Sequence, residues 1–409
     1  MKTDTKPPLW TSLKEMPRAY WFIILGTFIN RCGMLVLPFV TLYLSERGFS
    51  LEKAGWGLLW FGVGNLLASL CGGHLADTFG RKNTMMLSFF TTGVIMCAFP
   101  QVSTDSTINL MLCLVGFAGD LYRPAVGALI ADIVPEKHRL AAYAVNRTAL
   151  NAGFAVGPAL GGFMSKYSWD WLFYADGITT VTFGVIAVFA LPHGRRDKST
   201  SRESMLAWRE VFSNKPFMMF ALANLFVALA FLQVHATIAV LVKDSGYETW
   251  IYGMLCSLNG AMIVLLELPL TAYTKRFRTK NVIIVGYLMI GAGMMILTGA
   301  PTLTTFVLMM VVYTAGEMIC MPMSAAYLAE LAEENKRGRY MGTFGLTWAI
   351  SVLLGPKIGL SIYAMNADLW WWICGALCAI SATIIYIAPS PRKVEVTEDA
   401  SVEPSNVAV

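Results

Sequence analysis

Twelve long apolar runs follow one another along the chain, near residues 19–44, 54–76, 84–101, 107–134, 140–164, 169–191, 216–242, 250–273, 281–300, 303–331, 339–363 and 369–389. A run of about 18 or more apolar residues is long enough to cross a bilayer as a helix. In lipid every backbone N–H and C=O must be paired within the protein, so only helices and closed barrels can cross. The runs therefore predict an all-α membrane protein. The composition excludes a soluble globule. Only 14% of the 409 residues are charged and the mean hydropathy is +0.57, whereas soluble domains carry about 25% charged residues. Too few polar side chains are present to cover a core in water, so the outer surface faces the lipid bilayer.

Lysine and arginine set the expected orientation. Of 31 such residues, 23 fall on the side that holds both termini, and four on the other: Arg47, Lys53, Lys166 and Lys243. Arg31, Arg123, Arg147 and Lys357 lie within the runs. Both termini are thus expected in the cytoplasm. The first run is longer than the core of a cleavable signal, about 7–15 residues, and reads as a retained first span. Trp169, Trp171, Trp250 and Trp370–Trp372 mark the other ends of spans, as an aromatic belt would. The net charge of +5 carries no signature of nucleic-acid binding. The eight cysteines all sit in apolar runs. Cys374 and Cys378 are one turn apart, but no second pair completes a metal site, so no metal and no cofactor is expected.

An internal repeat organises the runs. Lys82-Asn83 recurs as Lys280-Asn281, Pro124 as Pro322, Asp132 as Glu330, and Arg139 as Arg337. Gly157-Pro158-x-x-Gly161 recurs as Gly355-Pro356-x-x-Gly359. Each pair is 198 residues apart. One offset held at five places predicts two copies of a six-span unit. An even number of spans inserts both copies the same way round, related by an axis along the membrane normal, with a substrate site between them near the midplane. The expected boundaries are 1–191 for the first bundle, 192–215 for a polar basic linker, 216–389 for the second bundle, and 390–409 for a disordered tail.

Three motifs carry chemistry. At the inner end of the second span stands Gly73-His74-Leu75-Ala76-Asp77-Thr78-Phe79-Gly80-Arg81-Lys82. Gly80 permits a tight turn, Gly73 permits close helix approach, and Asp77 can face the exposed N–H groups of another helix's N-terminus. The fourth span holds Asp120, Tyr122, Arg123 and, four residues after the arginine, Gly127. The fifth contains Gly153-x-x-x-Gly157-Pro158-x-x-Gly161-Gly162. Its small residues let helices pack closely, and Pro158 removes a backbone donor.

Together these motifs resemble those of the major facilitator superfamily, over nearly the whole chain, and the fifth-span string resembles its drug/proton antiporters. The first motif lacks only the basic residue after its aspartate, where Thr78 stands, and its second copy has Lys275 and Arg278 in place of Asp77 and Gly80. The fourth-span motif lacks the family's usual glutamine before the glycine. The resemblance implies twelve transmembrane helices in two pseudo-symmetric six-helix bundles, with spans 1, 4, 7 and 10 around a central cavity. It links the fourth-span arginine to proton transfer. It also sets spans 5 and 8 against each other across the halves.

Eight ionisable side chains lie inside spans: Arg31, Asp120, Arg123, Arg147, Asp176, Glu267, Glu317 and Lys357. Each costs roughly 2.5–3.5 kcal/mol in lipid on insertion scales, so they must pair or face water. On the family's arrangement Asn30, Arg31, Asp120, Tyr122, Arg123, Gln233, His235 and Glu317 form the substrate and proton pathway. Gly73, Asp77, Gly80, Arg81 and Asp132 form a cytoplasmic gate, with Asp77 near the start of the eleventh span around Gly338. Arg147 and Glu267 form an interdomain pair.

The expected function is secondary active transport of a small, amphipathic molecule by alternating access, as proton-coupled export, by a monomer in a bacterial inner membrane. The alternative within transport is uptake of a polar solute such as a sugar, peptide or siderophore. A transporter-like membrane sensor is the alternative of another class. An enzyme is not expected, because no HExxH, Walker or GxSxG pattern occurs.

Overall fold

The computed structural model describes residues 9–194, 211–332 and 337–389. Most of the expected linker, 195–210, and the expected tail, 390–409, lie outside the described residues. A helical segment falls on every apolar run. In chain order these are helix 1 (Arg18–Cys32, continuing as Leu37–Phe39 and Val40–Glu46), helix 2 (Leu51–Thr78), helix 3 (Arg81–Ala98), helix 4 (Asp105–Asp120 and Tyr122–Ile133), helix 5 (Arg139–Met164) and helix 6 (Trp169–Ala190). The second set is helix 7 (Lys215–Phe231, Leu232–His235 and Thr237–Asp244), helix 8 (Thr249–Thr274), helix 9 (Thr279–Met295), helix 10 (Leu303–Leu331), helix 11 (Arg337–Met365) and helix 12 (Ala367–Ile387). Among the described residues ten of these are long and apolar enough to cross a membrane. Helix 5 is 26 residues long but carries Asn146, Arg147 and Asn151, and helix 9 has only 17 residues. Both are packed among the others, helix 5 on helices 1 and 8 and helix 9 on helices 10 and 12.

Local chemistry sets many of the ends. Ser50, Thr104, Ser168, Thr302 and Asn366 each accept a backbone N–H in the first turn of helices 2, 4, 6, 10 and 12. At the other face Gly80 turns the chain into helix 3 with φ +99°, a conformation that glycine adopts without strain. Helix 9 stops well before the expected residue 300, because Gly299 takes φ +90° and Pro301 follows.

Three runs that read as continuous are broken. Helix 1 stops at Cys32 and resumes at Leu37, with Pro38 in the first turn of the new segment, where its missing N–H leaves no helical bond back to the earlier piece and costs the new one nothing. Helix 4 is interrupted at Leu121, and Pro124 has no N–H to give the carbonyl of Asp120. Helix 7 changes to a tighter turn over Leu232–His235.

The packing repeats with the sequence. Helix 2 lies on helix 4, helix 3 on helix 6, and helix 1 on helices 5 and 6. The second half pairs helix 8 with 10, helix 9 with 12, and helix 7 with 11 and 12. Two seams join the halves, helix 2 on helix 11 and helix 5 on helix 8, and each seam is the other's counterpart under the repeat. Arg81 reaches Asp132 at 3.1 Å, and the equivalent Thr279 hydroxyl reaches Glu330 at 3.4 Å.

At the face away from the basic loops, ion pairs cross between the halves. Glu46 pairs with Lys243, Lys166 with Glu248 at 2.5 Å, and Lys357 with Glu52 at 3.7 Å. Phe39 of helix 1 also meets Tyr252 of helix 8 edge-on, with ring centroids 5.3 Å apart. The hydrogen bond and charge of Lys166 hold the Glu248 carboxyl below the usual carboxylate range. A lowered pKa contributes stability above the ordinary glutamate value of about 4.3, and that contribution fades as pH falls through the lowered value. Glu248→Gln should therefore change the separation of the halves at this face by the same amount at pH 6 as at pH 8, measured by distances between spin labels. A mutant effect that vanishes between pH 8 and pH 6 would contradict this reading of the pair.

Candidate functional site

The breaks in helices 1 and 4 meet inside the first half. Around them lies a cavity of about 80 Å³, lined among others by Asn30, Arg31, Phe61, Met96, Asp120, Tyr122, Arg123 and Asp176. Arg31 donates to the Tyr122 hydroxyl at 3.1 Å and approaches the Met34 sulfur at 2.9 Å. Among the described residues it meets no carboxylate within ion-pair distance. Asp120 is held from two sides, by Arg123 at 2.6 Å and by the Asn65 amide of helix 2. The Arg123 side chain is 56% exposed, so the cavity opens past it. Asn30 donates to Thr180 of helix 6 at 3.0 Å. Phe61, Phe89, Met96 and Val115 make the rest of the wall apolar.

The remaining residues expected on the pathway stand in the second half. Glu317 accepts from Asn259 of helix 8 at 2.8 Å, and Asn259 also reaches Thr314 at 3.0 Å. Asn65–Asp120 and Asn259–Glu317 are thus the same device in the two halves, an amide on the second helix holding an acid on the fourth. Gln233 is fully buried and taken up by packing: it donates to the carbonyls of Leu229 and Gly355 and accepts from Thr237. His235 sits at the break of helix 7, edge-on to Phe154 of helix 5 at 5.6 Å, with a buried Nδ1 that finds no partner among the described residues.

On the basic face Arg81 is nearly buried between Asp77 at 3.4 Å and Asp132 at 3.1 Å. Gly194 closes over this network with φ +73°, and a Cβ there would stand 3.0 Å from Asp132 and 3.1 Å from Arg81. Asp77 is half exposed, and the side chains at the start of helix 11, around Gly338, lie outside those described. The expectation for Gly73 is corrected. A Cβ there would meet nothing within 4 Å, and the close approach falls one residue earlier, where Gly72 faces Pro124 of helix 4.

Arg147 and Glu267 are ion-paired across the seam of helices 5 and 8. The small residues of helix 5 face two ways. Gly153 would put a Cβ 2.5 Å from that of Arg31, Gly157 would put one 3.0 Å from the carbonyls of Arg31 and Cys32, and Gly161 one 2.9 Å from Phe39. This stripe holds the break of helix 1. Gly162 faces the other way, 2.9 Å from the Trp250 backbone of helix 8. Pro158 leaves helix 5 unbroken, and Gly253 and Gly260 of helix 8 accept the close approach of Pro158 and Ala155.

Asn65, Asn259 and the partners of Asp176 were not legible in the sequence. An asparagine inside an apolar run marks a polar group that needs a partner, but only the fold reveals which acid it meets. Asp176 is 4% exposed, and its Oδ2 accepts the backbone N–H groups of Leu35 at 3.2 Å and Val36 at 3.3 Å, in the gap of helix 1.

Comparison with known proteins agrees with this architecture. The Major Facilitator Superfamily profile matches residues 23–356 and 251–408. The Na(+), Li(+), K(+)/H(+) antiporter of Planococcus maritimus is 25% identical, over 92% of this chain and 96% of its own. The multidrug resistance protein MdtH of Aeromonas salmonicida is 23% identical, over 82% and 85%. Among solved structures, the nucleoside transporter NupG aligns with a TM-score of 0.77 at 13% identity, covering 90% of this chain and 99% of its own. The D-xylose-proton symporter aligns with a TM-score of 0.76 at 15% identity, covering 94% and 99%. The protein is a multi-pass membrane transporter, and the chain belongs to the major facilitator superfamily. The family consists of transporters of small molecules rather than enzymes.

Gly157→Leu tests the packing of helix 5. Its Cβ would meet two backbone carbonyls that cannot swing away, and such overpacking costs about 1–3 kcal/mol. Thermal unfolding in detergent should shift down accordingly. Gly127→Leu, where nothing lies within 4 Å, should shift little. Equal losses at both positions would refute the close-packing account.

Proposed function

We propose that the protein is a proton-coupled exporter of a small amphipathic molecule, working as a monomer by alternating access between residues 1–191 and 216–389, joined by the linker 192–215. The observation that carries this reading is the cavity of the first half, where Asp120 is shared between a partly exposed arginine and an amide beside an apolar wall. A carboxylate in that setting has two states that differ in what it can hold. Ionised, it pairs with Arg123. Neutral, it releases Arg123 to water or to substrate. Binding of a molecule that displaces the pair and binding of a proton then oppose each other, which is the requirement for exchange. Glu317 is the second candidate carrier.

The antiporter and multidrug-resistance names among the relatives favour export. A second reading, exchange of alkali cations for protons, is favoured by the name of the antiporter relative and by the small volume of the cavity. The likeness to nucleoside and xylose transporters, at 13% and 15% identity, bears on fold alone. The positive-inside rule supports a cytoplasmic basic face and cytoplasmic termini, in a bacterial inner membrane.

Asp77, Arg81 and Asp132 would then form the cytoplasmic gate. The register of helix 2 on helix 11, with Gly55 on Lys357 and Gly62 on Leu353, runs toward Asp77 facing the first turn of helix 11. The carboxylate there would complement the unpaired N–H groups of that turn when the cytoplasmic ends close. Arg147 and Glu267 would part and rejoin as helices 5 and 8 rock.

Proteoliposomes with an imposed pH gradient test coupling, using a panel of lipophilic compounds and alkali cations. Asp120→Asn or Glu317→Gln should lose gradient-driven accumulation while keeping exchange of substrate for substrate. If both variants still concentrate substrate, neither acid carries the proton. Exchanging the charges of Arg147 and Glu267 should recover part of what each single reversal loses, a coupling of about 0.5–3 kcal/mol read from transport rates. No recovery would remove that pair from the mechanism.

A further inference from the structure

We propose that Asp176 is a positioning residue that couples protonation inside the first half to closure of the opposite face, by capping the outer piece of helix 1. The inference rests on the proton-coupled reading above, but concerns a residue which that reading leaves unused.

The outer piece of helix 1, Leu37–Glu46, is cut off from the rest of its helix at residues 33–36. Neither the Leu35 nor the Val36 N–H makes its helical bond to the preceding turn: Leu35 shares its N–H between the Gly33 carbonyl at 2.7 Å and one oxygen of Asp176, and Val36 gives its own to that same oxygen. The piece they lead into is what reaches the other half. Phe39 lies on Tyr252 and Glu46 pairs with Lys243. An acid on helix 6 is therefore tied by backbone hydrogen bonds to the element that closes this face.

A carboxylate accepts such bonds about twice as strongly as a neutral oxygen does. When a proton from cavity water adds to a carboxylate oxygen, the neutral acid keeps a carbonyl oxygen for the two N–H groups but loses the charge that strengthened them. When the proton returns to water, the charge and the strong cap are restored. Protonation thus loosens the outer piece of helix 1 and favours opening of this face, and deprotonation favours closing.

The setting allows such a proton to come and go. Among the described residues Asp176 makes no ion pair, and it lines the cavity that opens past Arg123. The titratable groups facing it are Arg31 on helix 1 and Asp120, Tyr122 and Arg123 on helix 4. From helix 3, Cys97 lies against the neighbouring Gly177. Arg31 is the cation without a carboxylate of its own, so the charge of Asp176 is balanced from across the cavity rather than by contact.

Among the described residues the second half shows no such device. The residue 198 positions after Asp176 is Cys374, which is fully buried. The break of helix 7 is held by the neutral Gln233, bonded to Leu229 and Gly355. A cap that was only structural would serve both halves equally well. An ionisable cap in one half alone gives one break a pH response and leaves the other fixed.

The test needs no transported molecule, so it can fail while proton-coupled transport stands. Spin labels are placed in the turns 47–50 and 245–248 of a variant without native cysteines, reconstituted in nanodiscs, and their distance distribution is followed from pH 8 to pH 5. In the parent the open fraction should rise severalfold as pH falls. Asp176→Asn, which mimics the neutral acid, should show the raised open fraction at every pH with no titration. Asp176→Glu should restore a titration with a shifted midpoint, which a purely structural role would not produce. Glu46→Gln should raise the open fraction at every pH while keeping the titration, and this separates the cap from the ion pair that it serves. A parent that shows no pH response, or an Asp176→Asn variant that titrates as the parent does, overturns the proposal.

Discussion

The close backbone approach between helix 5 and the break of helix 1 is the constraint on which the rest of this structure depends. Gly153, Gly157 and Gly161 leave room for a helix that is not continuous. The gap in helix 1 exposes peptide groups that lipid could not satisfy, so it can exist only where protein surrounds it. Helix 5 covers it from one side and Asp176 of helix 6 from another. In turn, the gap lets Arg31 face Tyr122 and the cavity, and lets the outer piece of the helix turn toward the second half. The other face of helix 5 carries Gly162 against helix 8, so the same helix joins the first half to the second.

The repeat carries this geometry through both halves but not its chemistry. Gly355 and Gly359 lie against Leu229 and Gln233, as Gly157 and Gly161 lie against Arg31 and Phe39. The charges differ at equivalent sites. Leu229 stands for Arg31, Met318 for Asp120, Met321 for Arg123 and Cys374 for Asp176, counted along the common offset of 198. The close backbone packing is alike in the two halves, while most of the ionisable groups near the breaks stand in the first half and Glu317 is the second half's acid on helix 10. A division of this kind suits a protein in which one bundle handles charge and the other supplies a rigid counterpart.

Much of this was legible in the sequence, and for physical reasons. Apolar length, the offset of 198 and the asymmetry of lysine and arginine are properties that lipid imposes on any chain that crosses it. They revealed the helices, and they are the ground for expecting two halves and cytoplasmic termini. The cost of leaving charges alone in hydrocarbon required Arg147 and Glu267 to find partners, and the family's placing of spans 5 and 8 against each other named the pair. What stayed hidden depended on side-chain direction and on breaks. Gln233 has the character of a cavity residue but is used up in packing, because the gap of helix 7 needs its amide. Gly73 matched a motif, yet Gly72 makes the contact. Asp176 stood among the intramembrane charges, but its partners are backbone groups that a helix read as continuous would never have freed.

Exchange of a molecule for a proton is the central claim, and its converse is the most direct measurement of it. Proteoliposomes carrying a pH dye inside would be given an outward gradient of a transported compound, with no pH difference imposed and the membrane potential clamped. The account predicts that the compound leaving drives protons in, acidifying the interior at a rate that follows its efflux. Efflux at the same rate with no movement of protons would contradict it.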